Sequence, residues 1–192
     1  MKQKVRLILL STIFTSFAAN ADFYVTPWVG YTGGGEVKDQ DGTEYRIRGS
    51  ESGAVSLESD FDDGRIGLFY AYQKSKVKQL SVDTTMNYLL FQSSLHYEIA
   101  KDTYGYLGAG IGGSYVDTDW MTDYGFSASI FTGFEYRMFS HLYLNGQMRW
   151  LGTSVDGETT GACTSSSSSC VVQFKTDWIN QYSANFGITI VF

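Results

Sequence analysis

From Gln181 to Phe192 the side chains alternate in character with a period of two. Tyr182, Ala184, Phe186, Ile188, Ile190 and Phe192 are apolar; Gln181, Ser183, Asn185, Gly187 and Thr189 between them are polar or small, and only Val191 breaks the rule. Successive side chains of a strand point to opposite faces, whereas a helix would scatter this pattern around its circumference. The segment is therefore a strand with two unlike faces.

The same rhythm recurs upstream. Between Tyr124 and Met138, Phe126, Ala128, Ile130, Thr132, Phe134 and Tyr136 oppose Ser127, Ser129, Gly133, Glu135 and Arg137, with Phe131 as an exception. Leu142, Leu144, Met148 and Trp150 oppose Tyr143, Asn145, Gln147 and Arg149. Leu107, Ala109, Ile111 and Tyr115 oppose Gly108, Gly110, Gly112 and Ser114. Leu89, Phe91, Leu95, Tyr97 and Ile99 face away from Gln92, Ser94, His96 and Glu98. Ile66, Leu68, Tyr70 and Tyr72 face away from Arg65, Gly67, Ala71 and Gln73, with Phe69 on the unexpected side. Two weaker strands, Tyr24 to Thr32 and Gly53 to Asp60, bring the number to eight. Pro27, the one proline, removes a ladder hydrogen bond from the first.

Connections at Phe61 to Gly64, Ala100 to Thr103 and Phe139 to His141 are short. Gly33 to Ser52, Lys74 to Thr85, Thr118 to Asp123 and Ser154 to Val171 are mostly longer. Short turns at one end and long loops at the other, with both termini on the short side, predict an all-β fold: an eight-stranded antiparallel up-and-down transmembrane β-barrel with long extracellular loops and short periplasmic turns.

Alternation does not say which face is inside, but side-chain volume does. The interior of an eight-stranded barrel is only wide enough for packed side chains. The Gly- and Ser-rich face fits there, and the face of Phe, Tyr, Trp, Leu and Ile is then turned to lipid. Closure satisfies every backbone donor and acceptor in hydrocarbon. This places Arg65, His96, Glu98, Glu135, Arg137 and Arg149, with Glu58 as a further candidate, in the lumen. Opposite charges confined together pair, because an unpaired one costs several kcal/mol; the expectation is a polar plug. A mean hydropathy of -0.14 is compatible with such a barrel, since alternation averages out.

Lys2, Lys4 and Arg6 precede an apolar run from Leu7 to Ala18 and the small-residue site Ala19-Asn20-Ala21, the pattern of a cleaved signal peptide over residues 1–21. The run is too short to span hydrocarbon as a helix. Residues 22–192 then form one domain. The net charge is -6, and losing the three leader cations makes the remainder more acidic, which argues against nucleic acid. Cys163 and Cys170 bracket Thr164 and five serines; in an oxidising compartment this pair predicts a disulfide closing a small loop, and two cysteines without a nearby His are too few for zinc.

With leader, eight alternating strands and terminal Phe192, the chain resembles the OmpA/OmpX-like superfamily of small outer-membrane barrels. The resemblance implies the cell outer membrane of a Gram-negative bacterium, contact with outer-membrane lipid and lipopolysaccharide, and reading of Tyr182, Phe186, Ile188, Ile190 and Phe192 by the barrel-assembly machinery. Some such barrels are lipid A-modifying enzymes with a His and Ser pair. His96 lacks a Ser two residues later and His141 sits in a short turn, so no catalytic residue is assigned, and neither metal nor cofactor. Aromatics near strand ends, Tyr72, Tyr97, Tyr115, Tyr136 and Trp150, suit interfacial girdles. Trp28, Trp120 and Trp178 are placed less firmly, above the membrane. The expected role is a non-enzymatic surface scaffold for loop-mediated contact with an extracellular ligand or host surface and for envelope integrity. An OmpW-like conduit for small hydrophobic molecules is the alternative.

Overall fold

The computed structural model describes residues 22–34, 36–38, 44–46, 49–76, 83–118, 121–155, 160–162, 171–173 and 179–192. Its strands are β1 (Phe23–Gly34), β2 (Glu36–Lys38), β3 (Glu44–Arg46), β4 (Ser50–Phe61), β5 (Gly64–Lys76) and β6 (Asp83–Ala100). Then follow β7 (Thr103–Thr118), β8 (Met121–Phe139), β9 (Leu142–Val155), β10 (Thr160–Ala162), β11 (Val171–Gln173) and β12 (Ile179–Val191). Eight of them close in the order β1-β12-β9-β8-β7-β6-β5-β4, every neighbour antiparallel. Two small hairpins, β2-β3 and β10-β11, lie within the first and fourth long connections. The predicted leader and the cysteines Cys163 and Cys170 fall outside the described residues.

Three two-residue turns join β4 to β5, β6 to β7 and β8 to β9. Asp62 (φ 53°) and Asp102 (φ 60°) occupy the left-handed region there, which Asp tolerates better than most side chains. Both weaker strands of the sequence reading are present and run longer than expected. The third long connection is a correction: β7 ends at Thr118 and β8 starts at Met121, leaving residues 119–120 between them. Beyond the bilayer both faces of a hairpin meet water, so it continues without apolar alternation and escapes a periodicity test.

The barrel closes where Phe23 and Phe192 exchange backbone hydrogen bonds, Phe23 N to Phe192 O at 3.2 Å and Phe192 N to Phe23 O at 2.9 Å. Higher on this seam the register passes from Val25↔Ile190 to Trp28↔Gly187, skipping Thr26 and Pro27. Pro27 has no N–H to offer the Ile188 carbonyl opposite. Inside the wall the Thr26 and Thr189 hydroxyls bridge the gap at 2.7 Å.

The burial pattern of β12 alternates without exception, with Val191 on the buried row and Phe192 on the exposed one. Around the barrel Val29, Leu89, Ile111, Phe126, Met148 and Phe186 all point outward and exposed, forming an apolar belt. Such a surface is stable only against lipid. No helix among the described residues is long and apolar enough to cross a membrane, so the strands make the crossing.

Candidate functional site

The lumen is filled by side chains in layers, ordered by position along the strands. Nearest the short turns, Arg65 of β5 grips Glu135 of β8 with both guanidinium arms, Nη1 to Oε1 at 2.7 Å and Nη2 to Oε2 at 2.8 Å. Asn145 donates to Glu135 Oε1 and to the Thr189 hydroxyl, each at 2.7 Å. The Arg65 guanidinium also lies 3.6 Å from the Tyr24 ring centroid. Every member of this layer is buried.

In the middle layer Arg149 is 2% exposed and sits between two rings, 3.7 Å from the Phe69 centroid and 4.1 Å from that of Phe131. Its donors reach Gln147 Oε1 (3.1 Å), Ser129 Oγ (2.9 Å) and Gln92 Oε1 (2.7 Å). Gln92 in turn donates to Glu58 Oε1 at 2.9 Å, so one amide relays between the cation and the carboxylate. The Phe131 ring fits because Gly108 faces it across the β7-β8 ladder; a Cβ on Gly108 would stand 2.3 Å from Phe131 Cζ.

The layer toward the long connections is mixed: an apolar cluster lies there among buried Thr32, Gln73, Ser75, Thr84, Ser127 and Thr153. Trp28, Met86, Tyr88, Leu90, Leu151 and Ile179 pack there with Phe69 and Ala71. A thin polar thread runs through it, from Tyr88 OH to Gln181 Oε1 (2.6 Å), Gln181 Nε2 to Gln73 Oε1 (3.3 Å) and Gln73 Nε2 to Ser50 Oγ (3.1 Å). A pocket among Thr32, Phe69, Gln73, Tyr88, Leu151 and Ser183 has room for about one water molecule.

The structure thus brings together Arg65, His96, Glu135 and Arg149 of the expected lumenal set, with Glu58. Two members lie elsewhere. Glu98 has lumenal parity but is exposed, because β6 passes the end of β5 at Leu95 and carries Glu98 out to the rim. Arg137 is also at the rim, where it donates to Tyr104 OH and lies over the Tyr104 and Tyr143 rings at 5.4 and 5.8 Å. Trp28, expected above the membrane, is buried in the lumen with its Nε1 donating to Ser56 Oγ at 2.7 Å. The exceptions Phe69 and Phe131 are the rings that enclose Arg149. An aromatic breaking a polar row was the signal available for them, and the lumen accordingly holds an apolar cluster within a polar plug.

His96 has a serine two residues before it. Its Nε2 lies 3.0 Å from Ser94 Oγ, its Nδ1 3.7 Å from Glu135 Oε2, and its ring stacks on Tyr106 with centroids 5.2 Å apart. The order is that of a nucleophile, a base and an orienting acid. Both oxygens of Glu135 are already engaged by Arg65, and Ser94 is 4% exposed, which leaves a carbonyl no approach to Oγ. The arrangement is structural.

No family model and no curated protein matches the chain. Among solved structures, Neisserial surface protein A superposes with a TM-score of 0.63 at 14% identity, covering 90% of this chain and 99% of that one. The outer membrane protein OprG from Pseudomonas aeruginosa gives 0.63 at 12% identity, over 90% and 96%. The outer membrane protein AlkL in lipid bilayers gives 0.54 at 16%, over 90% and 91%. At such identities the likeness is one of fold: that of the small eight-stranded outer-membrane barrels.

Proposed function

We propose that this outer-membrane barrel is a non-enzymatic surface scaffold of a Gram-negative cell, one that holds its loops toward the exterior and adds to envelope integrity. The observation that carries this is the Phe69-Arg149-Phe131 stack across the middle of the lumen. A guanidinium with three side-chain acceptors and a ring on each face has no cheap alternative position in so narrow a space. The barrel is then a rigid support, and its contacts with ligands or host surfaces belong to the connections at the far end, where binding residues concentrate. Lipid and lipopolysaccharide surround the belt, and the row from Tyr182 to Phe192 serves as its assembly signal.

Deleting residues 161–170 should leave a folded barrel and change adhesion or serum survival of the cells that carry it. If loop deletions leave every such assay unchanged, the scaffold reading fails. The second reading, a narrow conduit for small hydrophobic molecules, is favoured by the apolar cluster of Trp28, Met86, Leu90, Leu151 and Ile179. Purified protein in planar bilayers and solute uptake by proteoliposomes decide between them: the scaffold predicts silence in both, and steady uptake of an apolar solute would establish the conduit.

A further inference from the structure

We draw no further inference here: the strongest candidate, the lumenal pocket among Thr32, Gln73, Tyr88 and Ser183 beside the Phe69 ring, has room for about one water molecule and belongs to the plug already described.

Discussion

Arg65 and Glu135 meet across the lumen from β5 and β8, three strands apart around the wall, as a two-armed ion pair at 2.7 and 2.8 Å. The pair ties opposite sides of the cylinder together by a contact that no ladder supplies. Its neighbours Asn145, Thr189 and Tyr24 turn it into a cross-brace that spans five strands.

Removing one member leaves the other charged and buried. Glu135→Gln should therefore lower stability by about 3–5 kcal/mol, seen as a fall in the urea midpoint of the folded barrel in vesicles. Arg65→Met/Glu135→Leu should recover most of that loss. A double variant as damaged as the single would mean that the pair contributes net attraction rather than mutual neutralisation.

The fit of Phe131 over Gly108 predicts a coupled pair. Gly108→Ala forces a Cβ to within 2.3 Å of the ring and 2.6 Å of the Ser93 carbonyl oxygen and should be strongly destabilising alone, with the second clash persisting when the ring is removed. Phe131→Ala should cost about 3–5 kcal/mol by opening a cavity beside Arg149. Combined, the two changes should cost clearly less than their sum, measured as a double-mutant cycle.

Pro27 interrupts the closing seam. Pro27→Ala restores an N–H facing the Ile188 carbonyl, and one added hydrogen bond is worth about 1 kcal/mol. The urea midpoint should hold or rise slightly, and the backbone amide gained at this position should be protected from hydrogen exchange. Rapid exchange at that amide would show that the seam stays open for a reason other than proline.

Ser94→Ala should remove a hydrogen bond to His96 worth about 1 kcal/mol and do nothing else. Mass spectra of lipid A from cells carrying either form should be identical, and a fluorophosphonate should label neither. Labelling at Ser94 would make the Ser94-His96-Glu135 row catalytic.

Much of the barrel was legible locally. The period of two in Gln181 to Phe192 marks a strand whatever surrounds it, and side-chain volume alone assigned the Gly- and Ser-rich rows to the inside. The short turns could be read from where alternation stops and restarts. The extension of β6 to β8 could not, because above the membrane neither face is required to be apolar. Glu98 and Arg137 show the same limit at the other end: parity gives the face of a side chain, but the stagger of neighbouring strands decides whether that face is still covered.

The sequence by itself determined an alternating, closed, lipid-facing wall, because those properties depend only on residues two apart and on the volume each row can occupy. Only the tertiary structure decided what fills the interior. That Arg65 finds Glu135, that Arg149 reaches Glu58 through Gln92, and that Phe69 and Phe131 turn inward to enclose it, all depend on which strands face each other once the ring has closed. Arg65 and Glu135 lie 70 residues apart and Arg149 and Gln92 57, and no local period records such distances.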